Sequence, residues 1–160
     1  MLNIGNRLEL FVDKTLIEEL RGARLKLGEP KSAGAVFTYD RPWEGIHPYY
    51  VSIIQDGEIC RMWWRGVDPE KLGEVGMKDG YDHEWTCYAE SRDGIHWERP
   101  NLRLFEIMGT KDNNVCRANC PPWSADFTVN LNTRPGAPES ERFIGVAGMA
   151  RYSDGTDRGR

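Results

Sequence analysis

The side chains in this sequence that are best suited to chemistry are aromatic rings that stand close to carboxylates. Trp43 lies in a turn-forming stretch, and its neighbours within a few positions are Asp40, Glu44 and His47. An aromatic ring carries a large apolar area and a polar edge, which suits a sugar-stacking surface as well as a protein core. Trp63 and Trp64 point to opposite faces if they lie on a strand, so at most one can face a site. Core packing is the favoured interpretation of that pair, and Trp43 is the better candidate for stacking on a ligand.

Metal and cofactor chemistry has little support in the sequence. Cys116 and Cys120 form one C-x3-C pair, while the other cysteines and the histidines are scattered singly. A structural zinc site usually needs two close pairs of ligands. A phosphate-cradling glycine loop and a nucleophile elbow are also missing. We therefore predict no metal and no cofactor, and we interpret the cysteines as thiols because no secretory signal is recognised.

Composition restricts the class of partner. The 160 residues carry a net charge of −4, with 39% hydrophobic and 29% charged residues, which is the balance of a globular domain. A protein that binds nucleic acid normally has a basic face, so nucleic acid is not an expected partner. No apolar run approaches the ~20 residues of a membrane span. The first residues also lack the pattern of a signal peptide, so we predict a cytoplasmic protein unless a leader has been removed.

The elements that must position these side chains are short strands separated by turns. A short helix or turn is predicted over residues 13–20, where Asp13 is a suitable cap. Asp56-Gly57 is a strong signal for a two-residue hairpin turn. The polar, glycine-bearing stretch 65–84 is long enough to be a functional loop. Runs of strand-forming residues predict an antiparallel meander of four strands over 35–39, 49–54, 59–64 and 85–91.

A second unit begins after residue 100 and is left unfinished. Its predicted strands are 102–107, 125–129 and 142–148. An open sheet presents unpaired backbone N–H and C=O groups. Self-association through such open edges is therefore one expected property of the chain.

Four segments, in order along the chain, resemble five-bladed β-propeller proteins of the glycoside hydrolase clan that includes invertases and arabinanases, families 32 and 43. These segments are LFVDKTLIE (10–18), YDRPWEG (39–45), CYAESRDGIHW (87–97) and GTKDNN (109–114). The resemblance implies an all-β, five-bladed propeller fold, with a four-stranded antiparallel sheet in each blade. The chain would be the N-terminal portion, with about one and a half blades: a segment 1–34, a first blade 35–100 and an incomplete second blade 101–160.

The resemblance also implies where catalytic residues would lie. Glycosidases of this clan place carboxylates around a central funnel. Asp40 is the nearest match to the base or nucleophile, although counting back from the Asp56-Gly57 turn leads to His47 and Pro48, where no acid stands. The alternative for Asp40 is a loop residue that pairs with Arg41 or caps a turn. The residues expected to contact substrate are Trp43, Glu44, His47 and Asn132.

Asn132 stands where the resemblance leads us to expect an aspartate. An amide hydrogen-bonds a hydroxyl group but holds no negative charge near an acid, which disfavours hydrolysis. Asp126 is a nearby substitute. Residues 91–97 also resemble the Asp-box of sialidases, with one residue fewer, and there we expect a structural turn closed by Asp93 and Trp97.

The resemblance thus implies a glycoside hydrolase-like protein that acts on or binds carbohydrate. Because the general acid is expected from a third blade, this chain alone should be an incomplete, inactive fragment of a glycosidase. One alternative is a non-catalytic carbohydrate-binding or scaffolding propeller that has lost its acids, which Asn132 favours. Another is a small independent β domain that completes its sheets by oligomerising.

Overall fold

The computed structural model describes residues 3–6, 9–46, 48–71, 83–120 and 127–147. The chain divides into two compact units, Met1–Ser32 and Ala33–Arg160. In the first unit the Oδ1 atom of Asp13 accepts a hydrogen bond from the N–H of Thr15 at 2.8 Å, and a turn follows. The described residues contain no α-helix, so of the helix or turn predicted over 13–20 the turn is the one present. None of them forms a helix that is long and apolar enough to span a membrane.

The second unit is built around one antiparallel sheet. Strands β1 (Ser52–Asp56), β2 (Ile59–Val67) and β3 (Glu84–Ser91) form a meander. The hairpin between β1 and β2 contains Gly57 with a φ of 62°, a conformation that glycine adopts without strain. The predicted hairpin is therefore confirmed.

The outer edge of this sheet is shared by two short strands that both pair with β3. Strand β4 (Trp97–Glu98) pairs with the end of β3, and β5 (Val115–Arg117) pairs with its middle. Together they occupy the place of a fourth strand in the sheet.

Two predicted strands are wrong. Residues 35–39 form no strand, and the half-buried rings of Phe37 and Tyr39 pack against Trp64, with centroids 5.3 and 5.5 Å away. Residues 102–107 form only an isolated bridge at Ile107, since Arg103 has a φ of 56° that interrupts an extended backbone. In both segments apolar side chains reach the core without a strand ladder.

A second, two-stranded sheet consists of β6 (Thr128–Leu131) and β7 (Phe143–Val146). A short 3₁₀ helix, Glu139–Glu141, precedes β7. These strands begin three residues after and one residue after the predicted positions. The described residues are all-β with antiparallel pairing, as the sequence predicts, while no closed ring of sheets is seen among them.

Each face of the main sheet carries a buried cluster centred on β2 and β3. Trp64 lies in the cluster on one face and Trp63 in the cluster on the other, which confirms the predicted alternation. On the Trp63 face, the second sheet packs through Val129 and through Phe143, whose ring centroid lies 6.1 Å from that of Trp63. The first cluster contains Met62, Trp64, Trp85, Cys87, Ala89, Ile107, Val115 and Ala118.

Candidate functional site

Two of the predicted site residues, Trp43 and Glu44, lie in a tight 3₁₀ turn, Pro42–Glu44. Proline suits the first position of such a turn because its φ is fixed and no N–H is needed there. The Glu44 carboxylate accepts a hydrogen bond from the backbone N–H of Arg41 at 3.0 Å, which closes the turn. Gly45 follows with a φ of 69°, and a Cβ there would overlap the carbonyl of Val67. The turn is therefore fixed against the end of β2.

Glu44 is fully buried and is neutralised by Arg99. The guanidinium donates from Nε to Oε1 at 2.7 Å and from a terminal nitrogen to Oε2 at 3.1 Å. Arg99 also donates to the carbonyl of Thr38 and lies 4.1 Å from the ring centroid of Phe37. A buried carboxylate requires such a partner. Both carboxylate oxygens of Glu44 thus accept hydrogen bonds from protein donors.

Arg99 was not among the predicted site residues, although it organises this region. It lies 55 residues from Glu44, and sequence spacing gives no indication of that contact. The one local sign of a structural role for Arg99 is its position at the end of a strand, between Trp97-Glu98 and Pro100.

Asp40 lies on the surface beside these groups. Its side chain is 60% exposed, and its Oδ1 atom is 3.3 Å from Arg99 and 3.7 Å from Arg41. The pairing with Arg41 is the alternative that the sequence leaves open for this residue. A carboxylate between two guanidinium groups is well placed to hold the loop, and it remains accessible to solvent.

Trp43 is held by hydrogen bonds at both its ring and its backbone. Its Nε1 donates to Asn114 Oδ1 at 2.6 Å, and its carbonyl accepts from Trp85 Nε1 at 2.6 Å. The ring lines a surface cleft of about 210 Å³ together with Arg41 and Asn114. That volume is below the ~300–1,000 Å³ of ordinary ligand pockets. Trp43 therefore packs as part of the fold and offers at most one edge to a ligand.

Asn132 lies just after β6 and shapes the following turn. Its Oδ1 accepts from the N–H of Arg134 at 3.1 Å, and its own N–H donates to the carbonyl of Arg142 at 2.8 Å. His47 and Asp126 lie outside the described residues. The structure thus brings Asp40, Trp43 and Glu44 together around Arg99.

A second cluster, which sequence spacing does not indicate, lies where β1 begins. Arg65 of β2 contacts two consecutive tyrosines, with its guanidinium carbon 5.4 Å from the ring centroid of Tyr49 and 5.1 Å from that of Tyr50. A terminal nitrogen of Arg65 donates to Glu84 Oε1 at 3.3 Å. The side chains of this ion pair are only 10% and 7% exposed. We call Tyr49, Tyr50, Arg65 and Glu84 the tyrosine–arginine cluster.

The turn at residues 91–97 has the structural role that its sequence indicates. Asp93 Oδ1 accepts from the N–H groups of Ile95 and His96 at 2.8 and 2.7 Å, and Trp97 Nε1 donates to the carbonyl of Gly94 at 3.0 Å. A hydrogen bond from the His96 ring, together with those from the backbone N–H groups of His96 and Ile95, holds the pKa of Asp93 well below its usual value. The carboxylate is engaged in closing the turn.

The cysteines are unbridged, and two of them are poor nucleophiles. Burial raises the pKa of the Cys116 thiol to about 12 and that of Cys87 well above its ordinary value. Within the described ranges, no group of three or more His, Cys, Asp or Glu side chains could hold a metal ion.

An ionic network joins the two sheets. Asp56, at the end of β1, accepts from Arg61 Nε at 2.8 Å and from Arg142 Nε at 3.1 Å. Arg61 also donates to the hydroxyl of Tyr88 at 2.6 Å. The bonds from Arg142 and Arg61 lower the pKa of Asp56. This network fastens β7 to β1 beside the Trp63 contact.

Comparison with known proteins finds two relatives, both from Mycobacterium tuberculosis. They are the uncharacterized protein MT1551 of strain CDC 1551 / Oshkosh and the uncharacterized protein Rv1502 of strain ATCC 25618 / H37Rv, each 30% identical over 83 residues. The match covers 51% of this chain and 22% of each relative, so it spans about a fifth of the length of these curated relatives. No protein-family profile matches the chain, and no solved structure matches it.

Proposed function

We propose that this chain forms the first blade and the start of the second blade of a five-bladed β-propeller that binds carbohydrate. The observation that carries the proposal is the buried cluster on each face of the main sheet, with β6 and β7 starting a second sheet against Trp63. Neighbouring blades of a propeller pack face to face in this way. The split fourth strand made by β4 and β5 completes a four-stranded arrangement of the expected size.

Carbohydrate binding is favoured over hydrolysis by the state of the carboxylates. The carboxylate of Glu44 forms an ion pair with Arg99 inside the fold, and the carboxylate of Asp93 accepts the hydrogen bonds that close its turn. The resemblance leads us to expect an acid near the start of the innermost strand, and tyrosines precede β1 there instead. This part of the protein therefore supplies aromatic and hydrogen-bonding groups for a sugar.

Hydrolysis is the second candidate function, and the exposed carboxylate of Asp40 favours it. A glycosidase needs a second carboxyl group to protonate the leaving oxygen. In this proposal that acid comes from another part of a polypeptide as long as the mycobacterial relatives.

Native electrophoresis of the complete polypeptide in gels that contain soluble polysaccharides tests the proposal. We expect retardation by at least one neutral polysaccharide, with no release of reducing sugar. Release of reducing sugar that Asp40→Asn abolishes would establish the second candidate. Unchanged mobility in every polysaccharide, with no release of sugar, would overturn carbohydrate binding.

A further inference from the structure

A surface cleft of about 310 Å³ lies at the end of the main sheet where β2 begins and β3 ends. This volume reaches the ~300–1,000 Å³ of ordinary ligand pockets, which the cleft beside Trp43 does not. Gly45 lies against Val67 at the other end of β2, and a nine-residue strand separates its two ends by ~26 Å. The cleft is therefore a separate place on the surface from the Pro42–Glu44 turn.

Strand pairing assembles the floor of this cleft. Glu90 of β3 lies directly opposite Arg61 of β2 and Glu98 of β4, and directly opposite residues share one face of a sheet. Ile59 precedes Arg61 by two positions in β2, so it lies on the same face. Glu90 already accepts a hydrogen bond from the hydroxyl of Tyr88 at 3.0 Å. The floor thus combines an apolar side chain with two carboxylates, one of which is engaged within the fold.

The turn at residues 91–97 forms a wall of fixed shape. The hydroxyl oxygen of Ser91 accepts from the N–H groups of Asp93 and Gly94 at 3.2 and 2.9 Å. The Nδ1 atom of His96 lies 2.6 Å from Oδ2 of Asp93. A carboxylate only accepts, so in the neutral ring Nδ1 carries the proton and Nε2 is an acceptor. A surface that is rigid before a ligand arrives loses little conformational entropy on binding.

Arg92 and Glu98 supply the groups that are open to a ligand. Both side chains line the cleft and are exposed. Within the described part of the chain, neither side chain forms a hydrogen bond or an ion pair. A guanidinium has only donors and a carboxylate only acceptors, whereas each hydroxyl group of a sugar both donates and accepts. Because the two unpaired charges are opposite, the cleft favours a ligand without net charge.

We propose that this cleft binds one neutral sugar unit of a polysaccharide. The sugar hydroxyl groups accept from Arg92 and donate to Glu98. A further hydroxyl donates to Nε2 of His96, and the C–H groups of the ring lie against Ile59. A volume near the low end of the range for ligand pockets suits a single ring. This inference rests on the proposed carbohydrate binding and assigns it to particular residues.

The test pairs two cleft variants with controls that change the charge equally. Arg92→Ala removes the donor, and its control is Arg24→Ala, at an exposed arginine of the other unit. Glu98→Ala removes the acceptor, and its control is Glu106→Ala, at an exposed glutamate that does not line the cleft. The complete polypeptide is run in gels with and without arabinan, levan and dextran, and circular dichroism checks the fold of each variant.

We expect both Arg92→Ala and Glu98→Ala to weaken binding to a neutral polysaccharide at least about tenfold, a change of about 1.4 kcal/mol. Arg24→Ala and Glu106→Ala should bind like the unmodified protein. The loss should occur in both cleft variants, because a neutral sugar uses the donor and the acceptor together.

Each other outcome has a definite meaning. If one cleft variant binds more weakly and the other more tightly, the ligand is charged and the neutral class is overturned. If the unmodified protein is retarded and both folded cleft variants are retarded equally, the site lies elsewhere and only this inference falls. If no polysaccharide retards the unmodified protein, the proposed function fails together with the inference.

Discussion

Glu44 shows that a residue which the sequence marks as a candidate for substrate binding can have a structural role. Its carboxylate closes a 3₁₀ turn and pairs with Arg99, and Glu44 itself has no solvent exposure. Such a pair is not strongly stabilising by itself. Removing Glu44 takes away the buried partner of Arg99 and leaves the exposed Asp40 as the second carboxylate beside it. The importance of Glu44 therefore lies in the cost of breaking the pair.

We expect Glu44→Gln to lower the free energy of unfolding by about 2 kcal/mol, because it weakens the charge-assisted hydrogen bonds from Arg99 while Asp40 still faces that guanidinium. Urea denaturation followed by tryptophan fluorescence measures the change. Glu58→Gln, an exposed glutamate in the β1–β2 turn, is the matched control and should change it by less than about 0.5 kcal/mol. A result for Glu44→Gln within the range of that control would contradict the role of the ion pair.

The two buried thiols lead to a prediction about reactivity. The thiolate is the reactive form of cysteine, and burial raises the pKa of Cys116 to about 12 and that of Cys87 well above its ordinary value. Both should therefore stay unmodified when the folded protein is treated with iodoacetamide at pH 8. Peptide mass spectrometry before and after denaturation measures the labelling. Rapid labelling of either thiol in the folded state would show that the site opens.

At the residue scale, the sequence predicts which side chains lie close together better than it predicts what each of them does. Asp40, Trp43 and Glu44 do lie together, because Trp43 and Glu44 belong to one short turn and Asp40 precedes it by two residues. Their main partners are Arg99 and Asn114, far along the chain, and only the fold brings them close. The tyrosine–arginine cluster was missed for the same reason, since strand pairing places Arg65 beside Glu84.

At the scale of elements, the sequence predicts a strand well where a turn signal and strand formers coincide. Asp56-Gly57 gives the hairpin, and the alternation in β2 gives Trp63 and Trp64 their opposite faces. The apolar runs at 35–39 and 102–107 are also rich in strand-forming residues, but neither forms a ladder with a neighbouring strand. In these two segments the composition indicates that side chains are buried, but it does not distinguish a strand from a packed loop.

The Asp56 network makes the attachment of the second sheet dependent on pH. Bonds from Arg142 and Arg61 lower the pKa of Asp56 in the folded protein below its ordinary value of 3.8. The stabilisation is therefore complete above the unfolded-state pKa and is lost as the pH falls through the folded-state pKa. Asp56→Asn should be less stable than the unmodified protein at pH 7, and the difference should shrink below pH 3.8.

Urea midpoints of both proteins at pH 7 and at pH 3 measure this effect. Glu58→Gln again provides a control, because Glu58 is exposed in the neighbouring turn. A difference between Asp56→Asn and the unmodified protein that is equal at both pH values would show that the network does not couple protonation to folding.

At the scale of the whole molecule, β7 is the element that the described residues leave incomplete. All four of its residues are exposed, including Phe143, Ile144 and Val146, and among the described residues its sheet consists of β6 and β7. An isolated two-stranded ribbon is marginally stable, and an exposed apolar edge attracts further strands. In the proposed propeller the next strand of the second blade covers this edge.

Hydrogen exchange of single amides tests that arrangement. The N–H of Asn132 donates to the carbonyl of Arg142. Hydrogen-bonded pairs alternate along an antiparallel ladder, so the N–H groups of Ile144 and Val146 bond to β6. The N–H groups of Phe143 and Gly145 then point to the open edge. We expect those two amides to exchange at least about 100-fold more slowly in a polypeptide of the relatives' length than in residues 1–160, because protection follows a hydrogen-bonded neighbour. Ile144 and Val146 are the internal control, bonded to β6 in both proteins. Protection that arises in the shorter chain as its concentration increases would instead establish self-association through this edge, and equal exchange in both proteins would contradict a covering strand.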